Sequence, residues 1–171
     1  MSGHSKWAQI KHKKALTDKK RGQIFSKLSR LITLAARRGS DPKLNPSLAQ
    51  AIEKAKSMNM PNENIERAIK KISDKNRAQL EELLIEALGP GEVALNIKAI
   101  TDNRNRTVAE IKKILSEHGA KMVQPGSLSW MFQQPLVAPD TAVQGQIDAL
   151  FEALDDHDEV EDISANVTEL R

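Results

Sequence analysis

The feature that most constrains this chain of 171 residues is how unevenly its charge is laid out. Residues 1–80 carry 19 Lys and Arg against 6 Asp and Glu, a net +13, whereas residues 81–171 carry 7 against 17, a net −10. A boundary near residue 80 is thus visible in the charge alone, and the asymmetry suggests a basic half that meets polyanions while the acidic half stays clear of them. The length is enough for one sizeable domain or two small ones. The expected organisation is a basic arm over residues 1–21, a helical bundle over 22–79 and an α+β lobe over 80–171.

The arm opens with "GHSKWAQIKHKK", which sets four Lys and two His around one of only two Trp residues. It shows no sustained apolar stripe, because Trp7, Ile10, Ala15 and Leu16 are embedded among cations. From Gly22 the pattern turns helical, with Ile24, Leu28, Leu31, Ile32 and Ala35 on one face. Gly39 is expected to end that helix in a left-handed cap behind Arg37 and Arg38. Asn45 as cap and Pro46 as first residue predict a second helix with a stripe of Leu48, Ala51, Ile52 and Ala55. Pro61 predicts a third with Ile65, Ala68, Ile69 and Ile72 inward. Three short amphipathic helices imply a small bundle, with Lys54, Lys56, Arg67, Lys70 and Lys71 on its solvent side.

In the acidic half, Leu83–Leu88 and Val93–Ile100 read as strands joined by the "GPGE" turn. A T-x-x-E capping box, Thr107 and Glu110, predicts a helix with Val108, Ile111, Ile114 and Leu115 on its apolar face and Gly119 at its end. Leu128–Phe132 reads as a third strand. A helix over residues 141–154 buries Ile147, Leu150, Phe151 and Leu154, and a last strand covers residues 160–167. The order β-β-α-β-α-β implies helices on one face of a mainly antiparallel sheet, so the fold class is α+β.

Several kinds of chemistry find little support. With no Cys there is no disulfide framework and no thiolate catalysis, and the composition suits a reducing compartment such as the cytoplasm. No run approaches the length of a membrane span, and no apolar stretch follows the N-terminal charges as a secretory signal requires. His4 and His12 lack further ligands for a metal set and stand among repelling lysines. The run "DDHDE", Asp155–Glu159, groups four carboxylates around His157, but between a helix and a strand it reads as a solvated turn rather than a magnesium or acid–base site. No serine lies in a nucleophile motif and no Gly-rich loop has nucleotide-binding context, so neither enzyme activity nor a cofactor is expected.

Polyanion binding is the chemistry the residues favour. Lys6, Lys11, Lys13, Lys14, Lys19, Lys20 and Arg21 can neutralise phosphates with His4 and His12 beside them, and Trp7 can stack on an unpaired base. Lys27, Arg30, Lys70 and Lys71 extend this cationic surface onto the bundle. Arg104 and Arg106, next to a helix start, form either a second anion site or a polar loop paired with carboxylates such as Asp102.

The stretches "GHSKWAQIKHKKALTDKKRGQIFSKL", "AARRGSDPKLNPSLAQAIEKAKSMNMPNENIERAIKK", "DNRNRTVAEIKKILSEHG" and "SLSWMF" closely resemble the YebC family, and "ALFEALDDHDEVEDISANV" resembles its C-terminal segment more loosely. The family motif begins directly after Met1, so no presequence is expected. Two departures stand out. The family usually inserts a further small α/β lobe after the "SWMF" stretch, where Gln133 and Gln134 here run almost directly into the tail, and "EALGPG" lacks the aromatic residue of the family's hairpin. The resemblance implies a non-enzymatic regulator of gene expression, customarily a DNA-binding transcriptional regulator. Other members resemble ribosome-associated factors that assist translation, including through proline-rich stretches. The partner is then DNA, or ribosomal RNA on the ribosome, with no membrane and no small-molecule substrate. A protein-interaction adaptor, docking through the acidic lobe, is the alternative of another class.

Overall fold

The computed structural model of the chain describes residues 17–73, 79–134 and 139–167. These form two compact units, one holding the helices up to residue 81 and the other the sheet with the last two helices.

The first unit opens with α1, Asp18–Ala35. Thr17 caps it by accepting a hydrogen bond from Lys20 N at 3.3 Å, and Asp18 sits in the first turn. The helix thus begins four residues before the apolar spacing does, because a side-chain cap and a carboxylate at the positive end of the dipole start a helix without any core contact. It closes through a 3-10 turn, Ala36–Arg38, into Gly39 at φ +142° and ψ 139°, which favours glycine but is not the left-handed helical cap expected there. Next come α2, Pro46–Ser57, and α3, Asn62–Lys70.

Asn45 joins α1 to α2. It is buried, its Oδ1 accepts from Leu48 N at 3.2 Å, and its Nδ2 donates to Ala35 O and Gly39 O at 2.8 Å each. One amide therefore caps the start of α2 and satisfies two carbonyls at the end of α1, groups that otherwise lack a partner. The Thr33 hydroxyl lies 2.8 Å from both Ser29 O and Ala68 O, tying α1 to α3. Between the three helices lie Leu28, Ile32, Leu48, Ala51, Ala55, Ile65 and Ala68. Arg37 donates to Leu80 O, linking the end of the first helical segment to the chain just before the sheet.

The second unit is a four-stranded antiparallel sheet in the order β3-β1-β2-β4. Its strands are β1, Glu81–Leu88, β2, Ala94–Thr101, β3, Lys121–Val123, and β4, Val160–Ala165. Helices α4, Arg104–Glu117, and α5, Thr141–Asp155, cover one face. There Leu83, Ile85, Leu95 and Ile97 of the central strands meet Ile111, Leu115, Ile147, Leu150 and Phe151 of the helices. The α+β architecture matches the sequence reading. A bulge at Lys98/Ala99 shifts the β2–β4 register, which is why both Val160 and Ile163 reach the core face. Asn166 extends this pairing, its Oδ1 accepting from Ala94 N at 2.8 Å and its backbone N–H donating to Ala94 O at 3.1 Å.

Two local readings are corrected. Leu128–Phe132 is not a strand: Ser129–Gln133 is a 3-10 turn, and the third strand is the short β3 paired with Glu86–Leu88. Pro125 and Gly126 take the chain off the ladder before the apolar run begins. The capping box does not form either, because α4 starts at Arg104 and leaves Thr107 inside the helix and fully buried.

Two substitutions test this packing. Asn45→Ala removes the cap and both carbonyl partners and should lower the stability of the helical unit by about 2–3 kcal/mol, read as faster hydrogen exchange at α1 and α2. Asn45→Ser restores a cap and should recover about 1 kcal/mol of that loss. In the turn before β2, Gly91 has φ +68°, and an added Cβ would stand 2.6 Å from Val143 Cγ1. Gly91→Ala should cost about 1–3 kcal/mol, and adding Val143→Ala should relieve the clash but not the backbone strain.

Candidate nucleic-acid interface

The helical unit presents its cations outward because the apolar stripes fill the inside of the bundle. Among the described residues 17–73, ten Lys and Arg are exposed against five exposed carboxylates. Two of those carboxylates, Asp18 and Glu63, are held by neighbours on their own helix, Arg21 at 3.5 Å and Arg67 at 3.1 Å. Exposed pairs of this kind contribute little stability, so the surface keeps its positive balance.

The proposed phosphate-facing residues fall into distinct groups. Lys19, Lys20 and Arg21 are exposed on the first turn of α1. His4, Lys6, Trp7, Lys11, His12, Lys13 and Lys14 lie outside the described residues. Lys70 is exposed, while Lys71 and Arg30 are half-buried. Lys27 is corrected: it is only 6% exposed and sits inside the bundle. The helical period already carries the reason, since position 27 lies three residues after Ile24 and four before Leu31, on the apolar stripe itself. Arg104 and Arg106 are exposed in the sheet lobe, in the first turn of α4 rather than before it.

That first turn has an unexpected partner. Two cations at the positive end of a helix dipole are unfavourable unless a nearby anion offsets them. Glu159, whose side chain is only 13% exposed, provides it: Oε1 accepts from Arg106 Nη2, and Oε2 accepts from the Thr107 hydroxyl at 2.8 Å. Arg106 thus has a partner across the fold, 53 residues on in the sequence. The turn between α5 and β4 is fastened at a second point as well. Glu159 N donates to His157 Nδ1 at 3.1 Å, which leaves the ring proton on Nε2, and Nε2 lies 2.6 Å from Glu110 Oε2.

The run Asp155–Glu159 is a turn with Asp156 and Asp158 exposed, as expected, but two of its side chains pack inward. Its His157 side chain is 11% exposed and holds α4 together with Glu159. Sequence reading missed this because both partners lie about 50 residues away, although Thr107, four residues before Ile111, already fell on a buried face. Among the described residues no three His, Asp or Glu converge on a possible metal position, and no helix is long and apolar enough to cross a membrane.

Comparison with known proteins places this arrangement. Residues 5–75 match the TACO1/YebC protein N-terminal domain, and residues 80–138 match the TACO1/YebC second and third domain. A probable transcriptional regulatory protein of Halothermothrix orenii is 54% identical over 136 residues, covering 78% of this chain and 54% of that relative. One of the same description from Pseudothermotoga lettingae is 44% identical over 170 residues, covering 93% and 67%. The chain thus spans about half the length of the first of these relatives. Among solved structures, a conserved hypothetical protein of Aquifex aeolicus superposes with a TM-score of 0.83 at 32% identity, covering 98% of both chains. With both family domains matched in order and the fold shared, the chain belongs to the TACO1/YebC family.

Proposed function

We propose that the protein is a non-enzymatic, nucleic-acid-binding regulator of gene expression, contacting phosphate with the N-terminal lysines and the exposed cations of the helical unit. The observation that carries this reading is the twofold excess of exposed cations over exposed carboxylates on that unit, continued in sequence by a segment with four Lys and no acid before residue 17. Surfaces of this kind bind polyanions by releasing condensed counterions, with no need for a pocket or a reacting group. The relatives' description as probable transcriptional regulatory proteins supports regulation as the outcome and makes DNA the first target to test.

RNA on the ribosome is the second reading. A Trp within a run of lysines suits stacking on unpaired bases, which duplex DNA does not present and folded or single-stranded RNA does. Crosslinking in cells followed by sequencing of the attached nucleic acid separates the two, with promoter DNA expected for the first and ribosomal RNA for the second.

If Lys6, Lys11, Lys13, Lys14, Lys19 and Lys20 engage a single strand, log affinity should fall with log salt at a slope of about −4. Deleting residues 2–16 removes four of these cations while leaving Thr17 to cap α1, and should flatten the slope to about −1.4. An unchanged slope would exclude the arm. Trp7→Ala should weaken binding by about 1–3 kcal/mol at nearly constant slope, since stacking releases no counterions. Arg106 provides a separate test, because Glu159 competes with phosphate for it. Glu159→Gln should lower the melting temperature yet raise affinity a few-fold at low salt, and adding Arg106→Ala should abolish the gain. Equal affinities in all three proteins would remove Arg106 from the interface.

A further inference from the structure

We infer that the loop between α1 and α2 is a wedge that sets Leu44 against the face of a nucleobase while Arg38 and Lys43 hold the adjoining phosphates. This rests on the nucleic-acid reading and adds to it an apolar contact that charge alone does not supply.

Residues 37–44 are all exposed, yet the loop they form is closed tightly. Leu44 N donates to Asp41 O at 3.1 Å and Lys43 N donates to Asp41 Oδ1 at 2.9 Å, with Pro42 at the turn position whose φ proline presets. The next residue, Asn45, is buried and bonded to both Ala35 O and Gly39 O. One amide therefore ties the end of the loop to its beginning, and brings Arg38, directly before Gly39, to the same projection as Lys43 and Leu44. With the backbone fixed on both sides, Leu44 cannot fold back onto the bundle and stays 84% exposed.

The neighbouring charges select the occupant. Among the described residues neither Arg38 nor Lys43 is paired with a carboxylate, and the one acid of the loop, Asp41, turns an oxygen to the loop's own backbone. An exposed leucine is ordinary when it is scattered on a surface, but this one is held at the tip of a preorganised turn with unpaired cations beside it. An apolar protein groove that received Leu44 would have to strip water from those cations without an anion in return. A nucleic acid offers an apolar base face and phosphates within one nucleotide, and a small apolar side chain pressed on a base step with cations on the backbone is an established way to unstack that step.

The test uses the full chain with two probes, a DNA duplex carrying 2-aminopurine at a central TA step and an RNA hairpin carrying it in the stem, since this base brightens when it is unstacked. Binding should brighten one of them, and the one that responds identifies the polymer. Leu44→Ala should bind that probe about tenfold more weakly, at an unchanged salt slope and without brightening it, while Leu44→Met keeps both properties. Hydrogen exchange at α1 and α2 should match the parent in each. Arg38→Gln with Lys43→Gln should flatten the slope on the duplex by about 1.8. Binding by the parent with neither probe brightened, Leu44→Ala equal to the parent in affinity and brightness, or an unchanged slope in the double variant would each overturn the wedge and leave the nucleic-acid reading standing. Failure of the parent to bind either probe at low salt would remove that reading and the wedge with it.

Discussion

One carboxylate ties distant parts of the sheet lobe together. Glu159 accepts from the Arg106 guanidinium and the Thr107 hydroxyl together, at the helix end where two arginines would otherwise face an opposing dipole. Because Glu159 lies just before β4 and Arg106 just after β2, this contact joins the last strand to the α4 crossover across more than 50 residues of sequence. The His157–Glu110 bond repeats the fastening one helical turn on, so the acidic run between α5 and β4 acts as a clasp on α4. Through its two oxygens one side chain thus links the start of α4 to the chain entering β4.

What was legible in the sequence was whatever is written locally. Asn45 followed by Pro46 announces α2, and the structure gives Asn45 the capping bond that its position implied. The spacing of Ile147, Leu150, Phe151 and Leu154 announces α5, and all four are buried. The errors share a different cause. Lys27 has the charge of a surface residue, but its position in the helical repeat is an inward one and it is buried. Thr107 and Glu110 had the spacing of a capping box, yet their partners came from the far end of the chain. "LSWMF" had strand-like composition, but a strand needs a neighbour, and Pro125 with Gly126 had already turned the chain away.

The candidate phosphate-facing surface follows the same division. Lys19, Lys20 and Arg21 were readable because a first turn of cations with no apolar partner has nowhere to go but solvent. Arg106 was half readable: its place at a helix start pointed to an anion, and the anion present in the fold is the protein's own Glu159. The guanidinium remains partly exposed, but its Nη2 is already held by a positioned and largely buried carboxylate.

Charge segregation gives the two indoles of the chain opposite surroundings. Trp7 lies in sequence among lysines, and Trp130 stands exposed on a turn without cations in the acidic half. In a chain with 3% aromatic residues and no Tyr, large flat apolar surfaces are scarce, and one kept in solvent forgoes the stabilisation it would gain in either core. With residues 1–80 at +13 and residues 81–171 at −10, the two Trp residues stand in halves of opposite net charge.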